Sequence, residues 1–479
     1  MIRAAFTDSA RRIAPLAWPV LVGQLSVLAF ATIDTVLVAR TSAQDLAALA
    51  VGGAAFVTVF IGFMGVVLAL SPIVGQLFGA GKLQEVGRET HQAVWLALGL
   101  SVIGSALLAY PAPFLALARA GPEVADKVRG YLTALAFSLP GSLLFTVYRA
   151  LNTAVSRPKA VMLLQMGALA IKAPLSTALV FGVPAIGLPA LGVTGCGIAT
   201  AVAVWSQVIA ASIVLRRDPF YARFHLLGHG LDRPDWKAMR QQLRLGIPMG
   251  AAILIEVTAF SFMALFIARL GATPVAGHQI AVNLVSMMFM MPLALGNATS
   301  TLVAQSVGAG AHNEARRLGR HGLVIGCGLA TLLGAAVFFS REAVVGLYTK
   351  DATIIAAALP LMAWLVVFHI ADAAQTVAAF VLRAFKIATI PMVIYVAALW
   401  GVGLGGGYFL AFNVSGTVPA ALQGARGYWM ASTLGLVLAA TALSGFMFFV
   451  FAQLRREQPR QTPMHRTSGG AARSPLEDA

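Results

Sequence analysis

Long apolar runs alternate with short polar breaks along this chain. The runs cover residues 13–38, 47–72, 91–114, 131–153, 160–184, 191–215, 243–269, 275–300, 320–340, 354–382, 388–412 and 426–453. About 20 mainly apolar residues suffice to cross a bilayer as a helix, so the pattern predicts twelve spanning helices. The first run is too long for a signal-peptide core and is followed by further spans, so it reads as a retained helix. One long break, 216–242 with Arg216, Arg217, Asp218, Arg233, Pro234, Asp235, Trp236 and Lys237, divides the helices six and six. The predicted organisation is a first lobe over 1–215, a linker over 216–242, a second lobe over 243–453 and a tail over 454–479. That tail, made of Gln, Pro, Ser, Gly and Arg, is too polar to pack and is expected to be disordered.

The two halves repeat. An offset of 229 relates Pro19 to Pro248, Ala39-Arg40 to Ala268-Arg269, Ala47 to Ala276 and Phe60 to Phe289. It also relates Val74-Gly-Gln-Leu-Phe-Gly-Ala-Gly81 to Val303-Ala-Gln-Ser-Val-Gly-Ala-Gly310, then Glu85 to Glu314 and Arg88 to Arg317. Six helices per half is an even number, so both halves share one topology. The predicted fold is an all-α polytopic membrane protein of two six-helix lobes related by a pseudo-twofold along the membrane normal. Folds of that kind place a substrate near the midplane between the halves.

Charge sets the orientation. Of 479 residues 59% are hydrophobic and 11% charged, and the net charge is +16. A nucleic-acid binder clusters its basic residues on a soluble face, whereas here they lie between apolar runs, and no nucleic-acid partner is expected. With the N-terminus inside, cytoplasmic segments and span ends collect 25 of the Lys and Arg residues and outward ones 8, leaving Lys172 within a span. The excess places both termini in the cytoplasm. The basic loops also suit anionic lipid headgroups. Cys196 and Cys327 adjoin glycines in apolar surroundings and read as small buried hydrophobes rather than a disulfide or metal pair.

Three acids fall inside the apolar runs: Asp34, Glu256 and Asp372. A charge at the centre of a membrane helix costs about 2.5–3.5 kcal/mol on insertion scales, and the usual reason to bear it is the handling of a proton, a cation or a cationic substrate. The repeat does not duplicate them, since Glu256 aligns with Val27 and Asp34 with Met263, which argues against a shared structural role. Asn283 lies in the eighth run and either makes an interhelical hydrogen bond or joins Glu256 and Asp372. Two carboxylates in a poorly hydrated cavity hold a proton or a cation between them, and acids with an amide oxygen suit Na⁺ as well as H⁺. Lys172 is too central to snorkel with ease. It either pairs with Asp34 or faces a water-filled cavity. Gly401-Val-Gly-Leu-Gly-Gly-Gly407 matches G-x-G-x-x-G without a preceding strand and reads as a bend or packing feature. His278, His321 and His369 lack metal-ligand spacing and read as helix-end or hydrogen-bonded residues. No P-loop is present, so energy for transport would come from an ion gradient.

Several segments resemble one known family. Ile247-Pro-Met-Gly-Ala-Ala-Ile-Leu-Ile-Glu256-Val-Thr, Ala276-Gly-His-Gln-Ile-Ala-Val-Asn283, Phe368-His-Ile-Ala-Asp372-Ala-Ala-Gln-Thr-Val, Leu382-Arg-Ala-Phe-Lys386 and Ala31-Thr-Ile-Asp34-Thr are similar to the multidrug and toxic compound extrusion (MATE) family, in its bacterial cation-coupled branch. The resemblance implies a multi-pass inner-membrane exporter of cationic, amphipathic drugs, exchanging them for H⁺ or Na⁺ by alternating access. It implies no enzyme activity, no cofactor beyond the coupling ion, and a monomer. It also implies that Glu256, Asp372 and Asn283 form a second-lobe cation site and that Asp34 belongs to a first-lobe site. The family commonly carries N-I-P-L-N in the fifth span, where this chain has Lys172-Ala-Pro-Leu-Ser176. Lys172 is therefore expected to act as a tethered cation for Asp34, with Ser176 beside it. The alternative reading is a flippase for lipid-linked precursors, which would favour a more cationic cavity than this one.

Overall fold

The computed structural model describes residues 2–118, 121–226, 228 and 230–457. Among them twelve helices are long and apolar enough to cross a membrane: α1 (Ala4–Val38), α2 (Ala43–Gly79), α3 (Leu83–Ala109), α4 (Pro122–Ala154), α5 (Pro158–Phe181), α6 (Gly192–Arg217), α7 (Trp236–Ala268), α8 (Ala272–Gly308), α9 (His312–Phe339), α10 (Ala352–Ala384), α11 (Thr389–Ala411) and α12 (Ala425–Arg456). Every predicted run has its helix. Most helices overshoot their runs into polar sequence at one end or both, because caps and turns rather than hydropathy decide where they stop. Ser42 accepts the Asp45 N–H at the start of α2, and Asp235 accepts those of Lys237 and Ala238 at the start of α7, each covering donors with no intrahelical partner. Beyond α2 and α8 the chain turns through Gly81 (φ 71°) and Gly310 (φ 72°), a left-handed conformation that glycine adopts without steric penalty. The connection predicted over 216–242 contracts accordingly to 218–235. At the C-terminus helix continues to Glu457, so 454–457 are ordered where the composition suggested otherwise. The remainder of the expected tail lies outside the described residues.

The repeat is visible in the helix starts: Ala43 and Ala272, Leu83 and His312, and the short helices Ala112–Ala118 and Arg341–Tyr348 all begin 229 residues apart. The buried apolar side chains gather into two main clusters. One draws on residues 38–226, the other on 252–451 together with Ile13 and Ala17 of α1. Each half therefore owns a core, and α1 also packs into the second. The lobes meet where α1 lies on α8 and α2 on α7. The α2–α7 crossing is closest at Gly65, where an added methyl would fall 2.2 Å from Gly250 Cα.

Two irregularities matter for function. Val396–Gly405, in the middle of α11, is π-helical, a local widening often found at functional sites, and it coincides with the glycine cluster expected to bend that helix. The α6–α7 connection is docked on the first lobe. His91 bonds Leu226 O (3.0 Å) and Asp232 Oδ2 (2.9 Å), Trp95 Nε1 donates to Asp232 O (2.9 Å), and Gln92 bonds both Arg233 O (3.0 Å) and the Asp235 N–H (2.7 Å).

Candidate functional site

The intramembrane acids occupy two separate places. In the second lobe, Glu256 of α7 and Asp372 of α10 converge on one side chain that the sequence did not single out, Gln375. Its Nε2 donates to Asp372 Oδ1 (3.0 Å) and Glu256 Oε1 (3.2 Å) and lies 3.1 Å from Thr376 Oγ1. Its Oε1 accepts the hydroxyl of Tyr395, from the first turns of α11. Asp372, Gln375, Thr376 and Tyr395 are all buried. Tyr395 thus orients the amide so that N–H groups, not oxygen, face both carboxylates. Gln375 is one helical turn from Asp372, and residues three apart share a helix face. That spacing, a second polar residue beside an acid in an apolar run, was the available signal.

Asn283 takes a different hydrogen-bond partner. It falls on the exposed face of α8 while Ile280, Ala281 and Val285 turn their sides into the core. Its Oδ1 accepts from Tyr348 Oη at 2.9 Å. The rotation of α8 thus gives Asn283 an interhelical hydrogen bond to Tyr348, while the contacts that join Glu256 and Asp372 run through Gln375. Of the three histidines, His278 accepts from Trp429 Nε1 (3.2 Å) and His321 pairs with Ser9 Oγ (2.7 Å). Neither ring nitrogen of His369 has a partner among the described residues. No group of three His, Cys, Asp or Glu there could hold a metal.

In the first lobe Lys172 Nζ donates to Asp34 Oδ2 and to Thr200 Oγ1, both at 2.7 Å, bringing α1, α5 and α6 to one point. The ammonium also lies 4.9 Å from the centre of the Phe30 ring, one turn from Asp34. Lys172 is 1% exposed, Asp34 6% and Ser176 0%, so this is a dry ion pair. Asp34 Oδ1 and Ser176 Oγ have no hydrogen-bond partner among the described residues. The arrangement leaves acceptor capacity on the acid while its charge is already matched. Thr200, which completes the ammonium's shell, was missed because a threonine in an apolar helix usually bonds its own backbone, as Thr200 also does to Cys196 O (2.9 Å).

The MatE family model matches residues 19–177 and again 248–409, two matches whose starts are 229 apart. A probable multidrug resistance protein NorM of Aromatoleum aromaticum is 39% identical over 93% of this chain and 95% of its own length. The multidrug resistance protein MdtK of Pectobacterium atrosepticum is 33% identical over 91% and 95%. The crystal structure of the eukaryotic MATE transporter AtDTX14 shares the fold, with a TM-score of 0.82, 22% identity, and 94% and 98% coverage.

Proposed function

The chain belongs to the MATE family of multidrug transporters, and on that premise we propose that it is a secondary antiporter that exports cationic amphipathic compounds in exchange for inward H⁺ or Na⁺. It works by alternating access, as a monomer in a bacterial inner membrane, with the α6–α7 linker and both termini in the cytoplasm. The orientation is supported by the distribution of Lys and Arg.

The observation that carries the reading is the Glu256–Gln375–Asp372 cluster. Two carboxylates sharing one amide inside the membrane, with the single guanidinium of Arg383 close enough to act on Glu256, leave about one negative charge unmatched, so they take up one proton or one monovalent cation together. Gln375 offers them donors and keeps its oxygen on Tyr395. That orientation denies a metal ion one amide oxygen and favours the proton as coupling ion. Loading the cluster removes charge from the second lobe; unloading restores it. A change of that size, in a region joined to α7, α10 and α11, is what can bias two arrangements of the lobes.

In the first lobe Lys172 takes the place of a bound cation at Asp34. A cationic substrate or proton reaching Asp34 therefore competes with an internal ammonium. Ion coupling then rests on the second lobe, and the first contributes substrate discrimination. Changing Lys172→Asn should alter the Na⁺ and pH dependence of transport, and unchanged dependence would remove the tethered-cation role.

The test is ethidium transport in everted vesicles under an imposed ΔpH or an imposed ΔNa⁺. Glu256→Gln and Asp372→Asn should each abolish ion-driven transport, with ΔpH the effective gradient for the parent. Parental rates in both variants would overturn the coupling assignment. Transport driven only by ΔNa⁺ would replace the proton with Na⁺.

A further inference from the structure

At the linker end of the seam the lobes touch through one duplicated sequence. Gly75-Gln76-Leu77-Phe78-Gly79 of α2 and Ala304-Gln305-Ser306-Val307-Gly308 of α8 are partners at the 229 offset, and they face each other. A methyl added at Gly75 would lie 2.9 Å from Ala304 Cβ; at Gly79, 2.0 Å from Gln305 O; at Gly308, 1.8 Å from Gln76 O. These contacts obey a single operator. Position 75 meets its own counterpart 304, and the 79–305 contact is mirrored by 308–76. Self-complementary contact of this kind is what a twofold axis produces, so the pseudo-twofold passes between Gly75 and Ala304.

Both glutamines then reach across the axis. Gln76 Nε2 donates to Ala384 O (2.8 Å), the last residue of α10, and Gln305 Nε2 to Ala154 O (2.7 Å), the last residue of α4, and to Ser156 Oγ (2.9 Å). Carbonyls in the last turn of a helix have no intrahelical partner, and each lobe supplies one to the other's glutamine. The turns that follow match as well, passing through left-handed Ser156 (φ 62°) and Lys386 (φ 59°).

We propose that this duplicated segment is the gate that closes the cytoplasmic side, with two glutamines as latch and two glycines as its seats. The inference rests on the antiport reading and on the linker end being cytoplasmic, because a passage there must open once per cycle. The glycines let backbone meet backbone, so that no side chain leaves a gap around the axis. When the lobes part, each glutamine and each carbonyl exchanges its bond for one to water, so the latch holds without locking. The symmetry couples the two bonds: separation of α2 from α8 releases α4 and α10 in one movement.

The test uses the full-length protein in membranes. In Gly75→Cys/Ala304→Cys the two Cβ atoms start 2.9 Å apart, nearer than the roughly 3.5–4.5 Å usual in disulfides, so a separation of the helices by about 1 Å brings the pair into range and oxidation should cross-link it. The cross-link should lower ethidium transport by at least about tenfold, with recovery on reduction, because a locked gate halts the cycle. The single-cysteine proteins should not respond to the oxidant. A pair that fails to cross-link, or a cross-linked protein that transports as fast as its reduced form, would overturn the gate. A second measurement needs no transport. The thiol of Ala304→Cys alone should react slowly with a membrane-impermeant maleimide presented at the linker side, and Gln76→Ala and Gln305→Ala should each raise that rate by about fivefold or more through easier opening. Unchanged labelling in both would remove the latch. Loss of ion-driven transport in the unmodified protein would instead sink the antiport reading, while cross-linking and labelling would still report on the gate.

Discussion

Lys172 holds a full charge where almost no solvent reaches it, between Asp34, Thr200 and the face of Phe30. Removing one member of a buried ion pair strands the other charge and costs about 3–5 kcal/mol, whereas replacing both with apolar groups of similar size is often neutral. Lys172→Met and Asp34→Leu should therefore each lower the thermal stability of the purified protein, and the double variant should recover most of the loss. Unfolding midpoints of the four proteins measure this, and losses that simply add would show that the two charges are not coupled. Gln375 is a different kind of residue, neutral itself but bonded to two acids and oriented by Tyr395. Hydrogen bonds to charged groups are worth about 1.5–3 kcal/mol each. Gln375→Leu should accordingly shift the pH at which ΔpH-driven ethidium transport is half-maximal, and Gln375→Asn, which keeps the amide on a shorter stem, should move it less. An identical pH profile in Gln375→Leu and the parent would leave the glutamine a packing role only.

At the scale of elements, hydropathy located all twelve helices because a bilayer imposes one length and one composition on every span. It placed their ends less well, since polar caps and turns decide those and they lie outside the apolar runs. The linker shows why: its acids serve the backbone. Asp218 accepts the Phe220 N–H, which with the Arg157 guanidinium holds its carboxyl below the usual carboxylate range. The Lys237 N–H, with Ala238 and Arg88, does the same for Asp235. A carboxyl depressed in the folded state stabilises it above the unfolded value of about 3.9 and ceases to as pH falls through the lower folded value. Hydrogen-exchange protection over 218–238 should therefore persist from neutral pH down to about 4 and fall below it, and Asp218→Asn with Asp235→Asn should flatten that dependence. A parent profile without the acid limb would refute the role of the caps. Neither the candidate sites nor these caps follow from periodicity. Asp34 and Lys172 could be matched as opposite charges away from the cytoplasmic ends of the apolar runs in one lobe, but Asn283 and Gln375 could be sorted only by the rotation of α8 and α10 about their axes, which hydropathy does not fix.

For the whole molecule, the repeat was legible as an offset between identical residues, yet the way its copies meet was not, because alignment relates positions without bringing them into contact. The seam departs from twofold symmetry in one respect. On α2–α7 the backbones touch at Gly65 and Gly250, while at the same offset of 229 the α1–α8 side has Ala294 for Gly65 and Leu21 for Gly250. One flank of the interface is therefore backbone against backbone and the other is filled by side chains. A methyl at Gly250 would sit 2.6 Å from Gly62 O and one at Gly65 on Gly250 itself, contacts that only a separation of the two helices can relieve. Overpacking of that kind costs about 1–3 kcal/mol, so Gly65→Ala and Gly250→Ala should each lower the unfolding midpoint and slow transport together. Ala294→Gly on the opposite flank removes a buried methyl from α8, a loss nearer about 1 kcal/mol including the helical penalty of glycine, and does not push the lobes apart. Its transport should stay close to that of the parent. If the flanks respond alike, the close crossing at Gly65 has no special part in how the lobes move; if only the glycine side slows transport, α2 and α7 are the pair that must stay in contact while the rest of the seam opens.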